Sequence, residues 1–164
     1  MALIELTTVI SAPAHHCFDL ARSIDFHKLC MQDTGEEAVD GVTSGLISDG
    51  QTVTWRARHL GFKHMLTSKI TAFQFPYYFR DEMVRGPFKR LIHDHIFIDQ
   101  KRSTTMIDVF RFDSPAGAFG KLIDNFLLKR YLANILLRRN QMIKEFAESN
   151  QLRLIPHFDE TSRT

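Results

Sequence analysis

The sequence predicts an α+β domain in which a curved antiparallel sheet of about seven strands, preceded in part by two short helices, wraps one long C-terminal helix around a hollow. Three observations carry that expectation. Between residues 52 and 112, apolar and polar residues alternate with period 2 in short runs separated by glycine and proline, the pattern of an antiparallel meander. From residue 119 to 146 the apolar recurrence changes to steps of three and four. The first half of that stretch is apolar around more than one stripe, as a helix gripped by a curved sheet would be.

Residues 3–10 hold Ile4, Leu6, Val9 and Ile10 with Thr7 and Thr8, a β-favouring run that stops at Ser11-Ala12-Pro13. Ser11 and Pro13 suit a helix start, because a serine side chain caps free amides and proline tolerates the first turn. Cys17, Phe18, Leu20 and Ala21 continue the apolar stripe. A second short helix is expected over residues 24–31, before Thr34-Gly35. Gly41, Gly45, Gly50, Gly61 and Gly86, with Pro76 and Pro87, then punctuate the strand runs.

In residues 52–59, Val53, Trp55, Ala57 and His59 share one face. In residues 64–73, His64, Leu66, Ser68, Ile70 and Ala72 oppose Met65, Thr67, Lys69 and Thr71, and the period does not choose the inward face. Runs at 77–84, 88–98 and 104–112 complete the set. On the middle one, Leu91, His93, His95 and Phe97 oppose Ile92, Asp94, Ile96 and Ile98, with apolar residues on both sides. The long helix, about 28 residues, would span about 42 Å. Residues 1–148 are expected to form a single domain and 149–164, aperiodic and carrying Pro156, a loosely held C-terminal tail.

A chain of 164 residues buries a core without metal or disulfide staples. Its 21 Lys and Arg against 19 Asp and Glu argue against a nucleic-acid partner. The basic pairs Lys89-Arg90, Lys129-Arg130 and Arg138-Arg139 read as solvated faces with snorkelling stems. Cys17 and Cys30 form no C-x-x-C motif and are expected as packing residues of a protein in a reducing cytoplasm. Glu5 stands where a signal peptide would be apolar, and no run of about 18 apolar residues occurs, so no integral membrane association is expected.

Asp81, His93, His95 and Asp108 are polar residues that fall on the inward faces of neighbouring strands. His93 and His95, two apart, put their imidazoles side by side, and Asp108 on an adjacent strand is placed to accept a ring N–H. A histidine so oriented could serve as general base with Asp81 as proton donor, or the set could be a satisfied hydrogen-bond network that grips the polar end of a ligand; pairing alone accounts for the composition. A metal reading of His-x-His needs a third ligand that the spacing does not place, so no metal is expected. His59 and His64 flank the Gly61 turn and read as hairpin residues. No phosphate loop, nucleophile elbow or dinucleotide fingerprint is present, and no cofactor is expected.

The element order resembles the helix-grip fold of the START-related, or SRPBCC, superfamily. Val9-Ile10-Ser11-Ala12-Pro13 followed by Cys17-Phe18-Asp19-Leu20 is similar to that superfamily's strand-to-helix passage, and Gly86-Pro87-Phe88, His93-x-His95-x-Phe97 and Thr105-x-x-Asp108 are similar to one branch of its ligand-binding proteins. The resemblance covers about residues 1–148 and implies a cavity between sheet and long helix. Trp55, Phe79, Met83 and Phe97 are the apolar lining candidates on the first strands, and Phe110, Phe119, Ile123 and Phe126 those beyond. Asp81, His93, His95 and Asp108 are its polar candidates, and the same apolar residues could instead close a solid core. The function expected is binding or transport of a hydrophobic or amphipathic small molecule. The alternatives are a cyclase or dehydratase acting on a polyketide-like substrate and a non-catalytic protein-interaction module. The long helix and exposed sheet edge would also suit a homodimer.

Overall fold

The alternating runs form one antiparallel sheet. A computed structural model of the chain describes residues 1–59, 61–113, 127–149 and 155. β1 (Ala2–Ile10) leads into α1 (Ala14–Arg22), α2 (Ile24–Cys30) and a single 3-10 turn (Gln32–Thr34). Six strands follow: β2 (Glu37–Gly41), β3 (Thr52–His59), β4 (Phe62–Gln74), β5 (Tyr78–Arg85), β6 (Arg90–Asp99) and β7 (Thr104–Asp113). The order across the sheet is β1-β7-β6-β5-β4-β3-β2, so the first strand closes onto the last and β1 and β2 are the edges. A helix of 20 residues, α3 (Lys129–Glu148), comes last, and this is a helix-grip α+β fold. No helix among the described residues is long and apolar enough to cross a membrane.

The local signals act as chemistry dictates, with two differences. Ser23 caps α2 by accepting from the Phe26 amide at 3.1 Å, which ends α1 and starts α2 in one residue. At α1 the cap is Pro13, and no side chain bonds the free amides. The expected cap, Ser11, instead donates its backbone N–H to Glu148 Oε1 at 2.7 Å, because the end of α3 lies across that corner. Lys144 reaches the Val9 carbonyl from the same helix face at 2.6 Å, so two polar contacts pin α3 to the end of β1.

Period 2 leaves two inward faces open, and the fold closes both. On β6, Leu91, His93, His95 and Phe97 turn inward, and on the outer face Asp94 is buried by hydrogen bonds from Tyr78 and Arg80, both 2.6 Å, and from Arg111. On β4, His64, Leu66, Ser68 and Ile70 turn inward. A bulge between Ile70 and Ala72 then shifts the alternation by one, so Phe73 packs on Phe18 at 5.2 Å between ring centroids.

Phe18, Phe26, Phe97, Met106 and Ile143 anchor a solid core under α1 and α2. Ile155 joins that cluster at 5% exposure; residues 150–154 and 156–164, the rest of the segment expected as a loose tail beyond Ser149, lie outside the described residues.

Candidate functional site

Between the sheet and the first turns of α3 the side chains do not fill the space, and a hollow of about 440 Å3 remains. Val53, Trp55 and Ala57 of β3 form one wall and Leu132, Ile135 and Leu136 of α3 face it. Phe79 and Phe110 close the side on β5 and β7, and His27, stacked on Trp55 at 4.2 Å and hydrogen-bonded to Glu36 at 2.7 Å, stands at the opposite end.

The floor is polar, and strand register assembles it. Asp81 pairs with His93 across β5 and β6, and His95 pairs with Asp108 across β6 and β7, so four inward side chains meet on three adjacent strands. Asp108 is fully buried at their centre. His93 donates Nε2–H to its Oδ1 at 2.9 Å, and Asn140 donates to its Oδ2 at 2.7 Å. His95 Nδ1 stands 2.8 Å from the same Oδ1, near enough for strong attraction but out of line for a hydrogen bond, and His95 Nε2 lies 3.5 Å from Asp81 Oδ2. Phe79 stacks on His95 at 4.2 Å, fixing the ring from the other side.

Arg139 completes the set from α3. It is 5% exposed, donates Nη2–H to the Ala21 carbonyl at 2.6 Å, and holds Nη1 3.9 Å from Asp108 Oδ1. Nη1 has no hydrogen-bond partner among the described residues.

These contacts split the titration of two adjacent histidines. Burial, with the neighbouring His95 charge, pushes His93 below the usual imidazole value despite its Asp108 partner. Burial also acts on His95, but Asp108 and Asp81 on either side outweigh it and raise the value. Burial would raise Asp108, yet the two imidazoles hold it well below the carboxylate range, and the same balance, led by His95, lowers Asp81. The floor thus favours the ionised carboxylates of Asp81 and Asp108, and it favours protonation of His95 over that of His93.

Of the residues singled out from sequence, Trp55, Phe79, Asp81, His93, His95 and Phe110 border the hollow. Asp108 sits behind the two imidazoles, Phe97 packs against Phe18 at 5.4 Å in the solid core, and Met83 belongs to a second apolar cluster with Phe112 and Leu136. Phe119, Ile123 and Phe126 lie outside the described residues.

Two residues join the site beyond those singled out from sequence. His64, expected at a hairpin, borders the hollow because it shares a face with Leu66 and Ile70. Arg138 and Arg139, expected as a solvated pair, separate: Arg138 meets Asp33 on the surface at 2.9 Å, while Arg139 lies inside. The signal for Arg139 was in the spacing, four residues after Ile135 and four before Ile143 on the buried stripe.

No family model and no curated protein matches the chain. Solved structures do. The ZhuI aromatase/cyclase from Streptomyces sp. R1128 superposes with a TM-score of 0.70 at 13% identity, covering 90% of this chain and 93% of that one. The major latex-like protein 151 from Panax ginseng gives 0.63 at 13% identity over 90% and 98%. A START superfamily protein from Mycobacterium smegmatis gives 0.67 at 10% identity over 88% and 98%. Likeness at such identities is likeness of backbone, and the backbone of this chain has the helix-grip fold of these structures.

Proposed function

We propose that the protein binds a hydrophobic or amphipathic small molecule in the hollow between sheet and α3, with the apolar body against Trp55, Phe110 and Leu132 and a polar end on Asp81, His93 and His95. One observation carries this reading: an apolar space of about 440 Å3 ends on a few convergent polar groups. Small-molecule sites occupy about 300–1,000 Å3 and have that composition. Trp55, the only tryptophan of the chain, lies in the wall and reports on occupancy. Energy transfer from Trp55 to bound anilinonaphthalene sulfonate is expected to saturate at one probe per chain. Leu132→Trp, which fills the space, is expected to weaken binding at least tenfold with an unchanged far-ultraviolet spectrum. A probe that does not bind, or that binds equally well to the filled variant, sinks the reading.

A second reading, an enzyme of cyclase or dehydratase type, is favoured by one feature of the floor. Because His93 gives Nε2–H to Asp108, its Nδ1 is left as a lone pair, as a general base requires. Under that reading His93→Gln abolishes turnover of a polyketide-like ketone and shifts its dissociation constant by less than about twofold. Parallel loss of affinity and turnover assigns His93 to binding instead.

A further inference from the structure

The geometry points to a site for a divalent first-row transition ion at the floor of the hollow, held by Asp81, His93 and His95. One donor atom from each lies within 4.8 Å of the other two. Nitrogen and carboxylate ligands stand about 2.0–2.2 Å from Zn2+, which separates neighbours around a tetrahedral ion by about 3.4 Å. His95 Nε2 and Asp81 Oδ2 already lie 3.5 Å apart. The widest pair has to close by no more than about 1.4 Å, within reach of side-chain rotations at the three ligands.

Asp108 supplies what such a site needs behind its ligands. A carboxylate only accepts, so the nitrogen that each imidazole turns toward it carries the proton: Nε2 of His93 and Nδ1 of His95. The nitrogens left for an ion are Nδ1 of His93 and Nε2 of His95; the latter faces Asp81, and any proton it carries is released when an ion binds. Metal-bound histidines are commonly held in this way by a carboxylate on the far nitrogen, and Asn140 fixes that carboxylate in turn. The spacing of His93 and His95 in the sequence left the pair without a third ligand; the register of β5 on β6 brings Asp81 to it.

The guanidinium of Arg139, 3.9 Å from Asp108, opposes a cation. A dication, the Asp81 and Asp108 carboxylates and Arg139 together leave a single positive charge, which an anionic ligand at an open position of the ion would neutralise. Two imidazoles and one carboxylate, with open positions toward a cavity, suit Zn2+ or Fe2+ and not Ca2+ or Mg2+, which take oxygen ligands.

The test uses the full chain freed of metal by chelation, with Zn2+ alone followed by calorimetry and Co2+ alone by visible absorption. One Zn2+ per chain is expected, and Co2+ is expected to develop d–d bands of nitrogen and carboxylate ligation. Asp81→Asn and His95→Gln should each weaken Zn2+ at least tenfold and abolish those bands. Asp108→Asn, which removes the carboxylate that orients both imidazoles together with its negative charge, should weaken it about tenfold to a hundredfold. His15→Ala with His16→Ala removes a paired histidine elsewhere and should leave the affinity unchanged. Absence of saturable Zn2+ uptake and of Co2+ bands in the wild-type chain overturns the site, as does uptake that survives Asp81→Asn and His95→Gln. Should a variant fail to fold, the wild-type Co2+ spectrum decides. The apolar probe is titrated separately in metal-free protein, so loss of the ion site and loss of the ligand reading give different results.

Discussion

Asp108 shows at the scale of one residue how the floor is kept together. It is buried with full charge, and that burial is tolerable only because His93, His95, Asn140 and Arg139 surround it. Removing one partner of a buried pair leaves the rest uncompensated, at a cost of about 3–5 kcal/mol. Asp108→Ala is expected to lower stability by that much in urea denaturation, and a loss under about 1 kcal/mol would show that the network relaxes without its centre. The cysteines give a second expectation. Burial pushes the Cys17 thiol to about 11 and the Cys30 thiol to about 12. Only thiolate reacts, so at pH 8 iodoacetamide should label both at least about a hundredfold more slowly in native than in unfolded protein. Labelling of Cys30 at the unfolded rate would contradict it.

At the scale of elements, alternation made most of the site legible and register decided the rest. Asp81, His93, His95 and Asp108 could be placed on inward faces from period 2 alone, yet which of them touch depends on Asp81 lying opposite His93 and His95 opposite Asp108. Phe73 was hidden for a different reason: a bulge has no signature in an alternating pattern until the partner strand is known. Arg139 was hidden by its neighbour, since Arg138-Arg139 reads as one basic pair until the helix phase separates them. Gly41 makes the dependence on register testable. It ends β2 at φ +74° opposite Val53, and a Cβ there would stand 2.2 Å from the Thr52 carbonyl oxygen. Positive φ at a residue with a side chain costs about 1–3 kcal/mol before any clash. Gly41→Ala is therefore expected to lower the melting temperature and, by shifting β2 on β3, to perturb Trp55 emission. An unchanged emission maximum with normal stability would show that the edge strand does not hold the wall.

For the whole molecule, the decisive property is that one helix faces two kinds of interior. The C-terminal part of α3 packs Ile143 into the solid core with Phe18 and Phe26, at no exposure. About two turns earlier, Ile135 and Leu136 look into the hollow. The sequence carried the apolar stripe but not this division, because Leu136 and Ile143, seven residues apart, occupy nearly equivalent helical positions on the stripe that also holds Ile135, and the curvature of the sheet separates their surroundings. Truncation should reveal the difference. At Ile143, alanine loses contacts on every side and creates a new void, a change that costs about 2–5 kcal/mol in well-packed cores. At Ile135 the side chain already lacks neighbours toward the hollow, so fewer dispersion contacts are lost and the space is merely enlarged. Ile143→Ala is expected to destabilise by at least about 1 kcal/mol more than Ile135→Ala in paired urea titrations. Ile135→Ala, in turn, should let the hollow accept a bulkier apolar probe than the wild type does. Equal destabilisation at the two positions, with no gain in probe size, would mean that α3 is packed alike along its length and that the sheet encloses no usable space.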